Sequence, residues 1–161
     1  MKHTILSIIT GAAVLCGCLS AQAANSDVPA KLQETTYLTD ARPDLNARFY
    51  AYLCSASWCG PCRAIMPQVV AQYKDIKAAG GEVILVCFDL DTQKGTEYVK
   101  KYNAAFPAVM GNLRAEMQSD LPGFTPRRGI PSVIFVKPDG SQLYSGHGQM
   151  LLKWREITAG K

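Results

Sequence analysis

The pattern of apolar and polar positions predicts a strand-helix alternation along most of the chain. Arg48–Ser55 (RFYAYLCS) is rich in aromatic residues and reads as a strand. From Pro61 to Ala79 the apolar residues Ile65, Met66, Val69, Val70, Tyr73 and Ile76 recur at helical spacing, and Gly80-Gly81 stops the helix. Val83–Phe88 (VILVCF) is an unbroken apolar run, as expected for a central parallel strand covered on both faces. Thr92–Asn103 reads as a second helix with Tyr98, Val99 and Tyr102 on one side, and Gly111–Gln118 as a short third helix before a loop holding Pro122, Gly123 and Pro126. Ser132–Val136 is a strand, Lys137-Pro138-Asp139-Gly140 a turn, and Gln142–Ser145 its hairpin partner. Gln149–Thr158 closes the chain as a helix. Parallel βα units followed by an antiparallel hairpin predict a compact α/β domain over residues 47–161, a central mixed sheet flanked by helices.

The first part of the chain breaks this pattern. Lys2 and His3 precede a mostly apolar run from Thr4 to Leu15, and Ala21-Gln22-Ala23 supplies the small-x-small signature of a signal-peptide cleavage site. The run is too short to span a bilayer. Residues 1–23 therefore read as a secretory signal. Leu15-Cys16-Gly17-Cys18 gives an alternative, a lipoprotein signal ending before Cys18 with that residue as lipid anchor, although Cys16 stands where Ala or Ser is usual. A buried N-terminal helix is the third reading. Either export route delivers the domain to a periplasmic or extracellular, oxidising compartment. Residues 24–46, with Pro29 and Pro43, are polar and read as an irregular extension packing against the domain.

Composition narrows the class without changing the fold. Of 161 residues, 48% are hydrophobic and 19% charged, which excludes disorder, collagen and coiled coil. The 17 Lys and Arg exceed the 13 Asp and Glu by four, but they are scattered. Only Lys100-Lys101 and Arg127-Arg128 are adjacent basic pairs, so no phosphate-tracking stripe exists and nucleic acid is not an expected partner.

The chemistry concentrates in cysteines. Six are present; Cys16 and Cys18 fall in the leader, leaving Cys54, Cys59, Cys62 and Cys87. Ser55-Ala56-Ser57-Trp58-Cys59-Gly60-Pro61-Cys62-Arg63 sits where a strand gives way to a helix. A thiolate at a helix N-terminus faces unpaired backbone N–H groups and the positive end of the macrodipole, which lowers its pKa. Cys59 is the exposed candidate nucleophile, and Cys62, one turn later and facing inward, can attack a mixed disulfide formed at Cys59. Gly60 admits another backbone, Pro61 is tolerated in the first turn, and Arg63 adds positive charge. Structural zinc needs four ligands, and the chain past the leader offers no second Cys pair and only His147. No metal site is expected. An inert disulfide remains the bland reading.

These residues resemble thioredoxin-like proteins, most closely the tryparedoxin and nucleoredoxin branch, over roughly Ala47 to Leu152. Ser55 to Cys59 and Cys62-Arg63 are residues of that branch, while Gly60-Pro61 is the pair of ordinary thioredoxin. Pro67 falls on the proline that kinks the family's active-site helix. Gly129-Ile130-Pro131 matches its cis-proline loop. The resemblance implies a thioredoxin fold, catalysis by Cys59 and Cys62, and docking of substrate chains against Trp58, Gly60, Pro61, Ile130 and Pro131, with Trp58 packing over the disulfide. Gly146 or Gly148 corresponds to a further glycine lining the groove. Two departures stand out. The family's buried carboxylate, six residues before the first cysteine, is replaced by Leu53, so that Asp89 or Asp91 could serve only if the fold brings it close; both otherwise read as strand-end and cap residues. The Gly111–Arg128 stretch is an insertion.

Other residues carry blander readings. Cys54 and Cys87 fall in adjacent strands and read as small buried hydrophobes, with a regulatory disulfide as the alternative if their Cα atoms lie within about 7 Å. Tyr50 and Tyr52 read as core and His147 as a surface loop residue.

The expected function is that of an exported protein-disulfide oxidoreductase acting as a reductant. It requires no cofactor, and its partners are protein thiols or disulfides and an upstream redox protein. It is expected to act as a monomer. The alternatives are a disulfide oxidase or isomerase, a Cu(I)-binding chaperone using the Cys59–Cys62 pair, and a binding module with vestigial chemistry.

Overall fold

A computed structural model of the chain describes residues 27–114 and 116–159. The leader, the Leu15–Cys18 motif and the first residues of the extension lie outside the described residues. Five strands form one sheet in the order β3-β2-β1-β4-β5, with β1 (Phe49–Ser55), β2 (Gly81–Cys87), β3 (Ala108–Met110), β4 (Ser132–Val136) and β5 (Gln142–His147). β1, β2 and β3 run parallel; β4 is antiparallel to β1, and β5 to β4. The helices are α1 (Val28–Glu34), α2 (Gly60–Ala78), α3 (Thr92–Lys101) and α4 (Trp154–Thr158), the last entered through a 3-10 turn at Gly148–Lys153.

Every residue of β1, β2 and β4 is buried, which is why their sequences read as apolar runs rather than as alternation. Alternate side chains feed two cores. One holds Leu53, Leu85 and Cys87 together with Ile65, Met66, Val69 and Ile76 of α2, Tyr98 of α3 and Trp154 of α4. The other holds Tyr50, Tyr52, Cys54 and Val86 with Val28 and Leu32 of α1, and also Cys59 and Cys62. Tyr50 and Tyr52 are fully buried, and their hydroxyls donate to backbone carbonyls at Asp44 or Leu45 and at Pro122.

The extension is more ordered than its composition suggests. Asp27 caps α1 by accepting the Ala30 N–H, a proline occupies the first turn, and Val28 N–H bonds the Pro138 carbonyl. Leu38 N–H donates to Ala108 O at 2.8 Å, so the segment after α1 covers the edge strand β3.

The helix expected at Gly111–Gln118 does not form. Asn112 instead pairs with Gln118, and Met117 with Arg127, as two antiparallel bridges that fold the insertion into a narrow arm. Gly111 runs so close to Phe88 that a Cβ there would lie 2.3 Å from the ring, a close approach that sends the chain across the sheet edge. The arm covers the second core: Leu121 is buried, and the Phe124 ring sits 6.3 Å from that of Tyr52. The closing helix also begins as 3-10 and becomes α-helical only from Trp154.

Candidate active site

The site lies beyond the carboxyl ends of β1 and β2, where parallel strands of an open α/β sheet present their loops. Cys59 ends the loop after β1 and is the N-cap of α2, with an extended backbone (φ −82°, ψ 111°). Its Sγ accepts the Cys62 N–H at 3.2 Å, so one of the helix's unpaired amides points at the sulfur, as the sequence reading requires. The two cysteines are joined as a disulfide with their Cα atoms 5.2 Å apart. Cys62 is fully buried, and Cys59 is only 5% exposed, less than the exposed position expected for it. In the closed disulfide its sulfur is tucked 3.6 Å from the Ile130 carbonyl oxygen. The exposed surface here is Trp58, half open to solvent.

The Ile130–Pro131 bond is cis, as the motif predicts. Pro131 O accepts the Gly148 N–H at 3.0 Å, and a Cβ at Gly148 would stand 2.6 Å from the Pro131 Cβ, so only glycine lets this backbone approach the proline. A groove of about 410 Å³ runs from this loop along Arg127, Arg128, Gly146 and His147. The structure thus brings Cys59, Cys62 and Ile130 together, with Gly60 and Pro61 in the first turn of α2. His147 is the exposed end of β5 rather than a loop residue, and its Nδ1 accepts the Gln149 N–H.

Three contacts brace the loop before Cys59, and none was legible in the motif. Asp89, 2% exposed and just past β2, accepts the Ser57 N–H at 3.0 and 3.2 Å and the Ser57 hydroxyl at 2.5 Å. Trp58 Nε1 donates to Phe88 O at 3.0 Å, which leans the indole toward the end of β2. The Arg63 guanidinium donates to Ser57 O at 2.7 Å. Of the two aspartates considered from sequence, Asp91 is a helix cap, accepting the Lys94 N–H at 2.8 Å, whereas Asp89 reaches the site. Leu53 is an ordinary member of the α2-side core.

Cys54 and Cys87 cannot form the regulatory disulfide considered for them. Cys54 pairs in register with Val86, and Ser55 with Cys87, so the two thiols are offset by one residue and enter opposite cores. Burial pushes the Cys54 thiol up to about 12. Burial and the neighbouring Asp89 push Cys87 up as well. Both are protonated at neutral pH, hence poor nucleophiles. Among the described residues no three His, Cys, Asp or Glu side chains gather around a point where a metal could be held.

Known proteins with similar sequences and folds agree with this geometry. The model of the AhpC/TSA family matches residues 20–141. The thiol-disulfide oxidoreductase ResA of Oceanobacillus iheyensis is 32% identical over 85 residues, covering 53% of this chain and 42% of that protein. Human nucleoredoxin is 31% identical over 88 residues, 53% of this chain and 20% of its own length. The match thus spans less than half of these relatives. The solved structure of tryparedoxin II from C. fasciculata superposes with a TM-score of 0.58 at 23% identity, covering 83% of this chain and 93% of that one. That likeness establishes a thioredoxin-like fold. With the family model matching most of its length, the chain belongs to the AhpC/TSA family of thioredoxin-like proteins.

Proposed function

We propose that the protein is a thiol–disulfide oxidoreductase working as a reductant. The observation that carries this reading is the cysteine pair at the start of α2, closed as a disulfide, with Cys59 Sγ facing the Cys62 amide and the Ile130 carbonyl. In the reduced protein the Cys59 thiolate attacks one sulfur of a substrate disulfide. The S–S bond breaks, a Cys59–substrate disulfide forms, and the other substrate sulfur leaves as a thiolate that takes a proton. Cys62 then loses its proton and attacks Cys59 Sγ, releasing the second substrate thiol and closing the internal disulfide. Two electrons pass to the substrate, and a dithiol donor protein resets the pair. Trp58, Gly60, Pro61, Ile130 and Pro131 form the surface on which the substrate chain docks. The activity named for the ResA relative supports the assignment.

Export belongs to the same proposal and rests on the leader pattern of residues 1–23. Intact mass of the mature protein tests it: a chain starting near Ala24 supports a cleaved signal, lipidated Cys18 an anchor, and an unprocessed chain refutes export.

The reduction potential of Cys59–Cys62, measured in glutathione or dithiothreitol buffers, tests the direction of flow. A value near about −270 mV supports a reductant, and one of about −120 to −180 mV would move the protein to oxidation or isomerisation. A pair that does not cycle would refute the oxidoreductase reading.

A further inference from the structure

Two carboxylates are buried on the β2 side of the molecule, and they are held in different ways. Glu82, at the start of β2, is fully buried and has a cation: Lys77 Nζ donates to it at 2.9 Å, alongside the Tyr73 hydroxyl and the amides of Asp44 and Val83. It ties β2 to α2 and the extension, far from the cysteine pair. Asp89, just past the other end of β2, pairs with no Lys or Arg among the described residues. A buried carboxylate lacking a cation is costly unless hydrogen bonds satisfy it. Its donors are the Ser57 amide, the Ser57 hydroxyl and the Cys87 thiol, whose Sγ lies 2.9 Å from Oδ2. Two of the three belong to the loop that sets Cys59.

We propose that Asp89, backed by the Cys87 thiol, is the positioning residue of the active-site loop, fixing Ser57 and through it the place of the Cys59 sulfur at the start of α2. Ser57 is two residues before Cys59, and the intervening chain has little slack. Cys59 N–H bonds Ala56 O at 3.2 Å, Trp58 is held at Phe88 O, and Arg63 holds Ser57 O. Asp89 supplies the remaining restraint, on the amide side of Ser57. With Ser57 released, the Cys59 sulfur loses its fixed place before the Cys62 amide, and the thiolate loses part of the stabilisation that the helix N-terminus gives it. Cys87 has a role that its burial alone does not suggest: its S–H occupies the carboxylate oxygen turned away from the Ser57 hydroxyl. The proposal rests on the oxidoreductase reading.

Asp89→Asn and Asp89→Ala, made in the full chain and purified reduced, test it. Both remove the charge, but only asparagine keeps an acceptor for the Ser57 amide, so the difference between them reports the hydrogen bonds. The readouts are Cys59 alkylation by iodoacetamide against pH, insulin reduction driven by dithiothreitol, and Tm. The expected result is alkylation at pH 7 roughly 10-fold slower in Asp89→Ala than in Asp89→Asn, from a pH profile displaced upward, with Asp89→Asn within about threefold of wild type in insulin reduction. Cys87→Ser, which keeps a donor, is expected to match wild type more closely than Cys87→Val; this pair carries the test if Asp89→Ala does not fold. Coincident pH profiles in Asp89→Ala and Asp89→Asn, or in Cys87→Val and Cys87→Ser, overturn the proposal even if Tm falls, because the hydrogen bonds at Asp89 then do not place the Cys59 sulfur. A wild-type protein that fails to reduce insulin overturns the oxidoreductase reading and the proposal with it.

Discussion

Two pairs of cysteines occupy one small domain and illustrate opposite uses of the same side chain. Cys59 and Cys62 sit three residues apart at a helix start, where the sulfur of the first meets a backbone amide and the surface is close by. Cys54 and Cys87 sit in neighbouring strands, where burial outweighs the few contacts that favour a thiolate and raises both thiols. Cys54 lies five positions before Cys59, so the contrast is set by element type and not by region. At the helix start the backbone offers donors that the fold itself leaves unpaired. Inside the sheet most backbone amides are engaged in strand pairing, and a thiol there is a small apolar filler.

The sharpest way to break this contrast is to remove the first pair. Cys59→Ala is expected to lower insulin reduction by at least about 10³-fold, the scale of losing a nucleophile. Cys62→Ala is expected to retain the first attack and accumulate a mixed disulfide with a peptide substrate, visible as a mass increase of one peptide. Next comes reactivity. In the reduced native protein Cys59 is expected to react with Ellman's reagent at least about 10²-fold faster than Cys54 or Cys87, which should titrate only after guanidinium is added. Equal rates would erase the distinction.

Stability against pH gives a smaller effect with a definite sign. The Cys54 thiol ionises near its ordinary value of about 9.0 when unfolded, and burial pushes it up to about 12 when folded. Between those values the unfolded chain has released a proton that the folded chain keeps, so stability falls as pH rises. The slope is about 1.4 kcal/mol per pH unit for one proton. Stability from this group is intact below pH 9, and the loss saturates at about pH 12. Denaturant unfolding of Cys54→Ala is expected to show a slope shallower by one proton across that window. Smallest is the packing cost of that substitution at neutral pH, about 1 kcal/mol for a small side chain in a closed core.

The sequence shows the fold where burial leaves a simple signature. β1, β2 and β4 are covered on both faces, and α2 carries its apolar stripe over 19 residues. The misses share a cause, since tertiary contacts decide them. β3 has three residues and owes its place to pairing with β2 on one side and Leu38 on the other. The Gly111–Gln118 stretch has Leu113 and Met117 at helical spacing, yet an internal bridge from Asn112 to Gln118 and a second from Met117 to Arg127 prevail. α1 has only Val28 and Leu32 to bury, too little for a periodic signal. The site follows the same rule. Cys59, Cys62 and the cis bond before Pro131 are local motifs and could be read directly. The grip of Asp89 on Ser57 joins residues 32 apart in sequence, and only the parallel pairing of β1 with β2 brings them together.

The one-residue offset between Cys54 and Cys87 also bears on how the chain matures. Before the strands pair, an oxidant can join any of these four cysteines to any other. Once β1 and β2 zip in register, the sheet stands between Cys54 and Cys87 as a partition. A slip of β2 by one residue would set those two thiols side by side on one face and invite a bridge that locks the error in. Correct register therefore acts as proofreading for oxidation, leaving the helix-start pair as the partners that can close.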